Sequence, residues 1–221
     1  MMRGWQKLSL GLALIAGAAQ AADMTVLRYV EQDPGDPPYV TRLLVTPAFM
    51  RMDSGEDAGD FVLLDRRKKT VYNVMLGSGM AMAFVPGRLP ARPSGWRARL
   101  ETRPGAAGTL NYRLLVNQSV CSEGKLAPRA APDVARALGE LKSVLAVTQY
   151  RVWQASPRDM QHECDLANQV WEFGRVLKAG LPLEEVEAGG RVRQFESESR
   201  LPLDPALFRL PEGLPVLEAD S

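Results

Sequence analysis

An α+β domain, with a mostly antiparallel sheet and two α-helices, is the fold class that this 221-residue sequence predicts. Three observations carry it. A series of short apolar runs rich in Val, Leu, Met and Tyr fills the first half, separated by segments of Pro, Gly and charged residues; runs joined by short turns pair antiparallel. From Pro132 the apolar residues move to three- and four-residue steps, the repeat of a helix. From Leu183 the strand pattern returns, and strands, then helices, then strands make an α+β order.

Taken from the beginning, the chain opens with Arg3 and Lys7, an apolar run from Leu8 to Ala19, and Ala19-Gln20-Ala21. A basic start, a short apolar core and small residues at an exit are the three parts of a secretory signal. Cleavage is expected after Ala21, leaving a single domain over residues 22–221. The run is shorter than the ~20 residues a spanning helix requires, and no second long apolar run follows, so no transmembrane segment is expected in the mature chain. An exported domain, placed in a bacterial periplasm, is the expectation.

The strands expected next are Met24–Glu31, Tyr39–Thr46, Phe49–Asp53, Phe61–Asp65, Thr70–Leu76 and Met80–Val85. Asp33-Pro34-Gly35-Asp36-Pro37-Pro38 separates the first two, because prolines and glycine at that density stop any ladder. Arg66-Arg67-Lys68-Lys69 and Gly77-Ser78-Gly79 turn the last three into hairpins. A further hairpin, Arg97–Thr102 with Thr109–Gln118, turns at Pro104-Gly105.

Val134, Leu138, Leu141, Leu145, Thr148 and Val152 form the stripe of a first helix, with Pro132 in its opening turn. Pro157 ends it. A second helix is expected from Arg158 to Ala179, with Met160, Cys164, Ala167 and Trp171 on one face and Gly180 as its cap. Leu183–Val186 and Arg191–Glu198 are strands around Gly189-Gly190. Cys121 and Cys164 are the chain's two cysteines. In an oxidising compartment such a pair forms a disulfide, and closing a loop of this size stabilises a fold by roughly 4 kcal/mol in the chain-entropy treatment.

Charge narrows the partners. The chain holds 27 basic and 26 acidic residues; removing a signal that carries two basic ones and no acidic one leaves a net charge of −1. Nucleic-acid binding needs an excess of Lys and Arg, so no nucleic-acid partner is expected.

The runs Leu43-Leu44-Val45-Thr46-Pro47-Ala48-Phe49-Met50-Arg51-Met52-Asp53, Phe61-Val62-Leu63-Leu64-Asp65 and Lys69-Thr70-Val71-Tyr72-Asn73-Val74 are similar to the periplasmic lipoprotein-carrier superfamily, which contains lipoprotein localisation factors A and B. The ending Leu207-Phe208-Arg209-Leu210-Pro211-Glu212-Gly213 looks like endings common among periplasmic relatives of that group. The resemblance implies a curved sheet, an open half-barrel, wrapping the two helices around an apolar cavity. The cysteine pair with its long helical insert is not a feature of the carrier, and no match to the residues by which the carrier meets its membrane partners is visible.

Candidate chemistry is sparse. Met50, Met52, Met75, Met80 and Met82 cluster, and alternation along a strand puts Met50 with Met52, and Met80 with Met82, on one face. Core filling, an adaptable lining for an apolar ligand and a soft-metal site for Cu(I) all suit thioethers, in that order of weight. Asp53-Ser54-Gly55 matches the aspartic-protease tripeptide, but a second copy is absent and that chemistry needs two carboxylates. Asp53, Glu56, Asp57 and Asp60 lack the spacing of a calcium loop. His162 is the only histidine, with no serine in a nucleophile elbow to partner it. Asn117-Gln118-Ser119 matches a glycosylation acceptor by chance. No catalytic residue, metal or cofactor is therefore expected. The expected function is non-enzymatic binding of a lipid, acyl chain or lipoprotein segment in a cavity lined by Leu43, Val45, Met50, Met52, Tyr72, Val74, Met82 and Phe84. The alternative is an interaction module with a filled core and a protein partner in the envelope.

Overall fold

The computed structural model describes residues 23–219. The expected signal and its cleavage point lie outside them. The described chain is a large, open, curled sheet of twelve strands with helices packed on it. In chain order the strands are β1 (Asp23–Gln32), β2 (Tyr39–Val45), β3 (Phe49–Asp53), β4 (Phe61–Asp65), β5 (Thr70–Met75), β6 (Met80–Phe84), β7 (Ala98–Pro104), β8 (Leu110–Val116), β9 (Ser119–Ala127), β10 (Leu181–Glu187), β11 (Val192–Pro202) and β12 (Val216–Glu218). Their spatial order is β12-β6-β5-β4-β3-β2-β1-β11-β10-β9-β8-β7. Every pair is antiparallel except β12 with β6.

Two strands were not expected from the sequence. β9 follows β8 through Asn117 and Gln118, both with positive φ (48° and 77°). Two consecutive left-handed residues make the turn whose twist suits a tight hairpin. The chain therefore reverses at the point where a single strand was expected to run on to Gln118. β12 is three residues long and lies beside β6.

The helical region departs further. α1 (Pro132–Ala155) forms as the apolar spacing predicts, with Pro132 and Asp133 in its first turn. Val134, Leu138 and Leu141 are buried, while Val152, at the far end of the same stripe, is exposed. The second helix is not one helix. A 3₁₀ turn (Arg158–Met160) leads to α2 (Glu163–Leu166), a π turn (Ala167–Trp171) and α3 (Phe173–Ala179). The expected face is broken accordingly: Met160 is exposed, whereas Ala167 is fully buried.

The reason lies in what this segment must reach. The disulfide joins Cys121 on β9 to Cys164 on α2, with the Cα atoms 4.7 Å apart. Asn168, inside the π turn, donates its side-chain amide to the Cys121 carbonyl at 2.9 Å. Its own carbonyl accepts from Lys142 Nζ of α1 at 3.0 Å. The wider π turn lets one residue reach both β9 and α1, a local use typical of such turns.

From β1 to β5 the sheet is covered on both faces. On one face Leu27, Leu43, Val45, Met50, Leu64 and Val71 pack against Val134, Leu138, Leu141 and Val144 of α1. On the other, Val26, Leu44, Phe61, Leu63 and Val74 pack against Leu203, Leu207, Phe208 and Leu210 of the C-terminal segment. A third cluster places Tyr112, Leu114, Val116 and Leu126 of β8 and β9 under Ala167 and Val176.

Candidate functional site

The β4–β5 turn sets one wall of the site. Asp65 accepts hydrogen bonds from the backbone N–H groups of Arg67 and Lys68 at 3.1 and 2.9 Å, and Lys69 takes a left-handed conformation (φ 54°). Arg66 is thereby aimed at α1. It donates to Asp133 at 2.8 Å and to Glu140 at 2.6 Å, and to the Thr46 carbonyl at 2.8 Å. One guanidinium thus holds the first turns of α1 against the ends of β2 and β4; Asp133 is kept below the usual carboxylate range by its hydrogen bond from Arg66.

Around this half of α1 lies a cavity of about 840 Å³, open to solvent, inside the range of about 300–1,000 Å³ typical of small-molecule sites. Its apolar walls include Leu64 and Pro86 from the sheet side, Ala135 and Val144 from α1, and Phe173 and Leu177 from α3. Its charged groups are Arg66, Lys69, Arg136, Lys178 and Glu140. Ser143 also lines it, with its hydroxyl spent on the Gly139 carbonyl at 2.7 Å.

Among the described residues both glycines that fall inside α-helices, Gly139 of α1 and Gly174 of α3, line this cavity. A glycine inside a helix costs about 0.5–1 kcal/mol relative to alanine. A Cβ at Gly139 would meet only Leu177 Cδ1, at 3.7 Å, and one at Gly174 would meet nothing within 4 Å. Neither glycine is imposed by close packing, and both leave the cavity wider.

The eight residues expected to line a cavity are divided between the two faces. Leu43, Val45 and Met50 are buried in the core under α1, with Met52 and Phe84 at its margin. Met82 shares the face of Phe84, two residues along β6, and is half-buried. Tyr72 and Val74 stand on the opposite face, with Phe208. None of the eight lines the 840 Å³ cavity. β5 shows why: Leu64 opposes Val71 and Leu63 opposes Tyr72, so Val71 and Asn73, not Tyr72 and Val74, share the face of Met50.

The other singled-out residues are held in structural roles. Asp53 accepts from Arg42 at 2.8 Å, from Arg51 at 2.7 Å and from the Gly55 N–H at 2.9 Å. Burial pushes its carboxyl up, and these partners together outweigh burial and hold it low. Asp57 accepts from Arg42 and Asp60 from the Leu76 N–H. His162 is exposed, and its carbonyl accepts from Trp153 Nε1. Among the described residues, no group of three or more His, Cys, Asp or Glu side chains is placed to hold a metal, and no helix is long and apolar enough to cross a membrane. The disulfide suits an oxidising compartment.

Sequence reading missed the ionic layer beneath α1. Glu31, buried on β1, is paired by Arg191 and, at 3.1 Å, by Arg193; Glu185 accepts from Tyr112 at 3.0 Å and lies 3.7 Å from Arg193. Arg193 lies over the Tyr29 ring. These groups fasten β1, β10 and β11, although Arg191 Nε is left buried without a hydrogen-bond partner.

No protein-family model and no curated protein matches the sequence. Two solved structures of PNGF-II share 11% identity with the chain over 90% of its length, with TM-scores of 0.37 and 0.34. The chain spans 31% and 32% of those proteins, and a likeness at that level carries no argument about fold or function.

Proposed function

We propose that this protein is a non-enzymatic binding protein of the periplasm that holds a lipid, an acyl chain or a lipoprotein segment beside α1. The observation that carries the reading is the apolar cavity of about 840 Å³ with both helical glycines in its wall. Walls that are largely apolar, with charged side chains among them, suit a ligand whose bulk is hydrocarbon. The half-barrel arrangement, with the sheet curled about the helices, belongs to this proposal, as does the exported location. The ligand-contacting residues are Ala135, Val144, Phe173 and Leu177 rather than the Met-rich strands.

The test is uptake. Delipidated protein incubated with membrane extract and sprayed under native conditions should retain an apolar small molecule. Gly174→Phe should lose it, because a ring there enters open space and fills the cavity without touching the core. Wild-type protein that emerges bare sinks the reading.

A further inference from the structure

We infer that the ligand is an amphiphile with an anionic head group, taken from the lipid class and held by Lys69, Arg136 and Lys178. The inference rests on the lipid-binding reading above and adds the chemistry of the head. Four cationic side chains line the cavity against one carboxylate, Glu140. Arg66 is consumed by Glu140 and Asp133. Arg136 keeps a single contact of 3.9 Å with Asp133. Lys69 and Lys178 form no ion pair among the described residues, and both are exposed.

On the sheet several surface charges are matched across strands, as in Arg113 with Glu123, Lys125 with Glu184 and Arg28 with Glu196. Three cations without equal counter-charge beside an apolar cavity complement a molecule that is apolar at one end and negative at the other. They reach in from the β4–β5 turn, α1 and α3. Long basic side chains can lay their stems on apolar surface and keep their charge in water, so a head group in solvent at the mouth is within their reach.

Calorimetric titration of the delipidated full chain with oleoyl lysophosphatidic acid and with oleoyl lysophosphatidylcholine tests this. The two share a chain and differ in head charge. Exposed charge contacts of this number are worth roughly tenfold in affinity, so the acid should bind about tenfold more tightly. The double variant Lys69→Gln/Lys178→Gln should bring the ratio close to one, and added salt should shrink it in the wild type. The double variant Arg99→Gln/Arg103→Gln, on β7, should keep the wild-type ratio. Equal affinities in the wild type, or a ratio untouched by removing Lys69 and Lys178, overturn the anionic head while leaving lipid binding in place. Binding of neither lipid overturns lipid binding and the inference with it.

Discussion

Glu31 is the residue on which charge and stability meet most directly. Its side chain is 1% exposed between Arg191 and Arg193. Burial pushes its carboxyl up; the two guanidinium groups outweigh burial and hold it below its ordinary value of 4.5. A carboxylate with a depressed native pKa contributes stability that is present above the unfolded value and lost as the pH falls through the native one. Glu31→Gln should therefore destabilise the protein by about 3 kcal/mol near neutral pH, because it leaves two partly buried guanidinium groups without their carboxylate. The deficit should narrow as the pH falls below the carboxylate range. Urea unfolding of both proteins at neutral and acid pH measures it, and a deficit that stays constant with pH would refute the assignment. Nothing in the sequence marked Glu31: it is one of 26 acidic residues, and its partners lie 160 and 162 positions away.

At the level of elements, the C-terminal segment and the disulfide act as fasteners. Phe208 is buried against the face of the sheet opposite α1, stacked on Phe49 with ring centres 6.1 Å apart. Arg51, buried beneath it, donates to the Leu207 carbonyl at 3.2 Å. Phe208→Ala should cost about 3–5 kcal/mol, the range for removing a buried aromatic ring, and chemical denaturation will show whether it does. Replacing Cys121 and Cys164 together by Ser should lower the melting temperature by several degrees, since the bond ties α2 to β9; an unchanged melting temperature would count against that role. The strands from β1 to β6 were legible because their apolar runs are bounded by turn residues. Their facing was not. In β4 the order Phe-Val-Leu-Leu puts apolar side chains on both sides, since helices cover one face and the C-terminal segment the other. Without alternation a register cannot be read, and Tyr72 and Val74 were assigned to the wrong side of β5 relative to Met50. β9 was hidden for a different reason. Ser-Val-Cys-Ser-Glu-Gly lacks strand composition, and Gly124 is there because a Cβ would lie 1.9 Å from the Glu184 carbonyl oxygen. The cavity was illegible too, because it is assembled from loops and helices that become neighbours only when the segmented α2–α3 region folds back on α1.

For the molecule as a whole, the position of β1 has a kinetic consequence. β1 lies between β2 and β11, and on the β11 side its partners come from far along the chain, as Arg28 and Glu196 show at a separation of 168 residues. Loop closure over such distances is slow, because its entropy is lost before the contacts that repay it form. The strands from β1 to β6 can zip as consecutive hairpins, and so can β7 to β9, while the seam between the two halves waits for β11. During that wait β1 presents an open edge with Leu27 and Tyr29 uncovered, a state open to mispairing. Pulse-labelling hydrogen exchange during refolding should find the β1–β11 amides protected after those of the β3–β4 and β4–β5 hairpins; simultaneous protection would show that the seam closes with the rest. A chain that completes its middle last has a strong reason to be shielded until its end arrives, and a holding chaperone would suit its sticky half-sheet.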